Sequence, residues 1–136
     1  MNWTLAETTA VSALKGALTD AGFKDGRETD ATPEDLLYFR DFIDDASLQA
    51  SATYFLFLVE PESRTVAGDN EKIAYEVAFD CYLATTYPPE NSATTNLRTA
   101  IETKVQEAGF IVRFQRSSFD PDLKLYLFQY RVVMEV

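Results

Sequence analysis

Ile73-Ala74-Tyr75-Glu76-Val77-Ala78-Phe79-Asp80-Cys81-Tyr82-Leu83 is the clearest period-two run in the chain. Ile73, Tyr75, Val77, Phe79, Cys81 and Leu83 take one parity, and Ala74, Glu76, Ala78, Asp80 and Tyr82 the other. Successive side chains of a strand point to opposite faces, so one face of this segment belongs to a core and the other is more polar. The run predicts a long antiparallel strand over residues 73–84.

On its N-terminal side, Tyr54-Phe55-Leu56-Phe57-Leu58-Val59 is apolar at both parities. That pattern predicts a strand covered on both faces. Residues 60–70, with Pro61 and Gly68, read as a long turn between the two strands. On the C-terminal side Pro88-Pro89 stops the strand, and Asn91 or Ser92 caps a helix over residues 92–108 with Leu97, Ile101, Val105 and Ala108 on its face. Phe110, Val112 and Phe114 then alternate with Ile111, Arg113 and Gln115. Asp120-Pro121-Asp122 is a turn, and residues 123–135 form a last strand rich in Tyr, Phe and Val.

A first helix is predicted over residues 5–21, from Val11, Leu14, Leu18 and Ala21 at spacings of three and four. It ends in Ala21-Gly22-Phe23, and the later helix ends in Ala108-Gly109-Phe110. Gly in that place is a C-cap, because it takes positive φ without a Cβ clash. Between the first helix and residue 54, Thr32, Pro33 and Asp35 follow the grammar of a helix start, and Leu36, Phe39 and Ile43 keep helical spacing. A short helix is favoured there over an extended segment. The expected fold is α+β: a single domain over residues 1–136, with a mainly antiparallel four-stranded sheet (residues 54–59, 73–84, 110–117 and 123–135). Two main helices pack on one face, in the order α-(α)-β-β-α-β-β.

Composition narrows the function. Twelve Lys and Arg stand against twenty-two Asp and Glu, a formal net charge of −10. Such a balance disfavours stable binding of nucleic-acid backbones and of anionic membrane surfaces. The absence of histidine removes the usual triads, His acid–base chemistry and His metal sites. The single cysteine, Cys81, lies in the alternating run and reads as a buried hydrophobe. Glu76 and Asp80 share a strand face but sit about 13 Å apart, too far for a glycosidase pair. Asp41, Asp44 and Asp45 crowd one segment without the pattern of a calcium loop. Tyr126, Phe128 and Tyr130 on one parity suit packing better than base stacking in so acidic a chain. No Gly-rich phosphate loop or nucleophile elbow is present. The chain is therefore read as non-enzymatic, with no cofactor and no metal. Neither a signal peptide nor a membrane-spanning stretch is expected from the residues given.

Asp69-Asn70-Glu71 leading into Tyr75-Glu76-Val77-Ala78-Phe79-Asp80-Cys81-Tyr82, a helix ending Glu107-Ala108-Gly109-Phe110, then Phe119-Asp120-Pro121-Asp122 and the strand Leu125-Tyr126-Leu127-Phe128-Gln129-Tyr130 form one series. This series, over residues 54–136, resembles small tail-terminator (tail-completion) proteins of long-tailed phages and prophages. The segment from Pro33 to Leu48 is longer than the family's pattern. The resemblance implies a virion structural protein, made in the bacterial host cytoplasm and located in the virion tail. Its subunits form a ring, commonly of six, at the head-proximal end of the tail tube. The ring stops tube polymerisation and joins head to tail. Its implied partners are further copies of itself, the tail tube protein and a head-completion or connector protein. Glu60, Glu62, Arg64, Asp69 and Glu71 offer both charge signs for a head-to-tail contact between subunits. Ten net negative charges per free subunit oppose association in solution. The competing expectation is an acidic cytoplasmic protein-binding module of the immunity or antitoxin kind.

Overall fold

The structure, a computed structural model, describes residues 2–27, 32, 34–43, 53–61, 63–67 and 72–136. Helix α1 (Trp3–Asp20) starts where Asn2 Oδ1 accepts the Leu5 N–H at 2.9 Å. It buries a stripe of mostly small residues, Ala6, Ala10, Val11, Leu14, Ala17 and Leu18. Helix α2 (Ser92–Glu107) starts at Asn91, whose Oδ1 accepts the Ala93 N–H at 2.9 Å. It buries Ile101 and Val105 in the same cluster as the α1 stripe, so both helices cover one face of the sheet.

Both Ala-Gly-Phe endings are helix stops. Gly22 has φ +103° and Gly109 φ +101°. After α2 the Gly109 N–H reaches Gln106 O at 3.0 Å and the Phe110 N–H reaches Val105 O at 3.2 Å, the two bonds of a Schellman motif. Phe23 and Phe110 then turn into the helix-side core, against Phe55 and Phe79. A methyl added at Gly109 would meet Met134 Cε at 3.5 Å, an ordinary contact, so only the backbone opposes it. We expect Gly109→Ala to lower stability by about 1–2 kcal/mol, read as a fall of a few degrees in Tm. An unchanged Tm would mean that Gly109 does not hold a left-handed cap.

The sheet is larger than the four antiparallel strands expected, and it is mixed. Among the described residues it has seven strands, β1 (Phe23–Asp25), β2 (Leu36–Arg40), β3 (Thr53–Val59), β4 (Ser63–Ala67), β5 (Lys72–Thr85), β6 (Ile111–Asp120) and β7 (Leu125–Glu135). Six of them follow the path β1-β2-β3-β5-β7-β6, and β4 pairs with the start of β5. β1, β2 and β3 are mutually parallel, and the other pairings are antiparallel. Helix α2 thus crosses from β5 to β6 over the intervening β7.

The short helix expected from Leu36, Phe39 and Ile43 is strand β2. Leu37, Tyr38 and Phe39 are all buried, Tyr38 toward the helices and Leu37 and Phe39 on the other face. A strand covered on both faces shows no period of two, and its apolar run imitates helical spacing by chance. The cap grammar is real but leads to no helix. Asp35 Oδ2 accepts the Thr32 N–H at 2.9 Å, Asp35 N–H returns to Thr32 O at 3.1 Å, and the chain then extends. The Thr32 amide and then Lys24, 3.0 Å away, hold the Asp35 carboxyl below its ordinary range.

The turn expected over residues 60–70 contains β4. β3 and β4 lie one after the other along the same side of β5, Val59 opposite Phe79 and Ser63 opposite Glu76. Glu60 N–H still bonds Ala78 O at 2.9 Å, and Pro61, with no N–H to give, stands at the break.

Candidate functional site

The residues expected at a subunit contact are not equally available. Glu60 is engaged within the chain: its Oε2 lies 3.0 Å from Arg131 Nε, bridging β3's end to β7. Arg64 stands in β4, in register with Tyr75. Glu62, Asp69 and Glu71 lie outside the described residues, as do Asp44 and Asp45. Asp41 is exposed beside Arg40, whose Nε is 3.7 Å from its carboxylate.

Two other surfaces carry more. The first is the sheet face away from the helices. Leu37, Phe39, Tyr54, Ala84 and Leu125 form a second buried cluster there. Beside it Ile43, Leu56, Tyr82, Leu123 and Leu127 help line an apolar trough of about 250 Å³. Among the described residues, no helix lies over this face, because α1 and α2 both pack on the other side. A polar ladder bounds the trough. Arg116 Nε donates to Gln129 Oε1 at 3.0 Å, and Gln129 Nε2 donates to Tyr82 Oη at 3.3 Å. Next along β7 comes the Arg131–Glu60 pair.

The second surface is β6, the last strand on the sheet path. Among the described residues only β7 pairs with it, so its other side presents a row of backbone donors and acceptors. It is exposed along most of its ten residues, including Ile111 (62% exposed), Phe114 (45%) and Phe119 (49%). A β-bulge at Gln115 breaks the register between Phe114 and Arg116. It resets the alternation, so that Phe114 and Phe119 both lie on the helix side, against Tyr130 and Tyr126. The sequence pattern had Phe110, Val112 and Phe114 alternating with Ile111, Arg113 and Gln115, with no break at Gln115. The mixture of Ile111, Arg113 and Gln115 at the other parity is the trace of an edge that it did carry.

Arg98 of α2 ties this edge to the core. Its guanidinium lies 4.4 Å from the Phe114 ring centroid and 4.7 Å from that of Phe128, and its Nε donates to Tyr130 Oη at 2.7 Å. Burial pushes the Tyr130 phenol up from 10.0 to about 12, although the Arg98 hydrogen bond pulls it down. A raised acid favours folding in its neutral form, so the contribution is complete below pH 10 and is lost as pH rises toward 12. We expect wild-type Tm to fall across that window more steeply than Tm of Tyr130→Phe, a difference of up to roughly 2 kcal/mol. Parallel curves would show that Tyr130 does not titrate with unfolding.

Cys81 is buried in the helix-side core, and desolvation raises its thiol well above the ordinary range. Glu76 stands opposite Glu135, and Asp80 opposite Arg131. Tyr126, Phe128 and Tyr130 face the helix side and pack there. Among the described residues, no three His, Cys, Asp or Glu side chains converge as metal ligands, and no helix is long and apolar enough to cross a membrane. The chain matches no protein-family model, and no curated protein is significantly similar to it.

Proposed function

We propose that the chain is a non-enzymatic structural subunit that works in a multi-copy assembly, the tail-terminator ring at the head-proximal end of a long-tailed phage tail tube. The observation that supports an assembly role is the sheet face away from the helices. An apolar trough of about 250 Å³ beside a second buried cluster, with no helix over it among the described residues, is a surface that a neighbouring protein covers. The phage assignment itself rests on the resemblance of residues 54–136 to tail-terminator proteins. A net charge of −10 suits a channel lining that does not retain passing DNA.

The test is a deletion of the gene in the phage or prophage that carries it, complemented by wild type or by Leu127→Glu. Loss of the terminator leaves tails of uncontrolled length without heads. Leu127→Glu, which puts a charge in the trough, is expected to keep its melting transition and fail to complement. Normal, infectious particles in the deletion strain would refute the proposal. Full complementation by Leu127→Glu would refute the role of the trough.

A further inference from the structure

We infer that the β6 edge pairs with β6 of a second copy of this chain, antiparallel and about a two-fold axis at Ser117. The inference stands on the edge itself and does not depend on the phage assignment.

The edge is self-complementary once the bulge is counted. With Gln115 set aside as the bulged residue, Phe114 and Phe119 lie on the helix side, and Arg113 and Asp120 on the other. Residues directly opposite in an antiparallel pair point to the same face. A two-fold axis at Ser117 then sets Arg113 opposite Asp120 of the second copy, Phe114 opposite Phe119, and Arg116 opposite Ser118. Each of the first two pairings occurs twice. A regular strand would put Phe114 and Phe119, five residues apart, on opposite faces. The bulge is what makes the edge match itself.

Charge supports the same occupant. Arg113 stands opposite Arg131 on β7, a like-charge pair. Arg131 has Glu60 at 3.0 Å, whereas Arg113 makes no ion pair among the described residues. Asp120 of a second copy supplies the missing carboxylate. The pairing also covers Phe114 and Phe119 and satisfies the outward backbone groups of β6, the usual cure for an exposed apolar edge. A two-fold contact closes at two copies, so it adds to any ring contact made through another surface.

The axis gives a sharp test. Opposed residues in an antiparallel pair have Cα atoms about 4.5–5.5 Å apart, within disulfide range. Ser117→Cys is therefore expected to form a covalent dimer under mild oxidation. Cys81 does not compete, because it is buried. Ser118→Cys, one residue off the axis, is expected to cross-link at least tenfold more slowly. Sedimentation of the uncross-linked wild type at 0.15 M salt, where the Debye length is about 8 Å, is expected to show a species of twice the 15.3 kDa chain mass. Arg113→Glu is expected to weaken dimerisation at least tenfold, and Arg113→Glu with Asp120→Lys to recover most of it. Asp120 Oδ1 also accepts the Asp122 and Leu123 amides in the adjoining turn. Asp120→Asn keeps that acceptor and should weaken the dimer without loss of Tm. A monomeric wild type would overturn the inference. So would equal cross-linking at 117 and 118, or a dimer indifferent to Arg113→Glu. Intact dimers from a gene whose deletion leaves tails normal would sink the phage assignment alone.

Discussion

Phe79→Asp is expected to abolish cooperative folding. Phe79 is fully buried at the middle of β5, edge-on to Phe57 at 5.8 Å and to Phe110 at 6.0 Å between centroids. Loss of the ring costs about 3–5 kcal/mol through transfer and cavity terms. The described β5 residues that share its face, Tyr75, Val77, Cys81, Leu83 and Thr85, offer the replacing carboxylate no cation, and burying it unpaired adds several kcal/mol. Protonation relieves part of that penalty, at the cost of a strongly raised pKa. The total reaches the roughly 5–15 kcal/mol that holds a domain of this size together. Glu76→Lys is the control. Glu76 lies three residues earlier on the opposite face, across from Glu135, and lysine there replaces a like-charge pair with an opposite one. The control should melt at or slightly above the wild-type temperature. Circular dichroism melting decides: a wild-type transition for Phe79→Asp would mean that the core is elsewhere.

Phe79 and Glu76 lie in the part of the fold that local sequence specifies. β5 alternates because the helices cover one of its faces and the other meets solvent at Glu76 and Asp80. α1 and α2 keep helical spacing because each has one buried stripe, and each stops at a glycine with positive φ. These signals need nothing beyond a few neighbours along the chain. β2 has no such signal. Leu37, Tyr38 and Phe39 are buried because β1 and β3 flank them and both faces are covered, and parallel pairing is set by contacts remote in sequence. The Thr32–Asp35 contact then supplied a helix start without a helix. β4 is similar: Ser63-Arg64-Thr65-Val66-Ala67 follows Pro61 and reads as turn, yet the long β5 leaves backbone groups beyond β3 for it to pair.

The candidate surfaces were less legible than the fold. The trough draws on Ile43, Leu56, Tyr82 and Leu127, which meet only because β2, β3, β5 and β7 are neighbours in the sheet. The edge depends on a bulge, and nothing in Phe114-Gln115-Arg116 distinguishes a bulged glutamine from a paired one. Glu60 shows a different limit. Its charge stood out in a segment read as turn, and its carboxylate is taken up by an arginine seventy-one residues away. Charged residues noticed for their sign need their intrachain partners found before they are assigned to a neighbour.

Gly26 is the position where sequence and structure differ most in consequence. In the sequence its neighbours Lys24, Asp25, Arg27 and Glu28 are all charged, a setting in which glycine tolerates exchange. In the structure it follows β1, and its N–H donates to Tyr38 O at 2.9 Å. A Cβ placed on it would fall within the Phe39 ring. Its φ lies outside the left-handed region, so the restriction is steric and not conformational. Phe39 has nowhere to retreat: it is 2% exposed and packs 6.3 Å from the Tyr54 ring. Gly26→Val is therefore expected to destabilise the protein by about 3 kcal/mol, the upper end of overpacking costs. That lowers Tm by roughly 10 °C. Phe39→Ala alone leaves a cavity and costs about 3–5 kcal/mol. Together the two changes should cost less than their sum by at least about 1 kcal/mol, because the valine methyls occupy space that the ring vacated. Denaturant melts of the two single variants and the double variant close the cycle. Strict additivity would show that Phe39 does not lie on Gly26, and the β1–β2 pairing that brings them together would have to be redrawn.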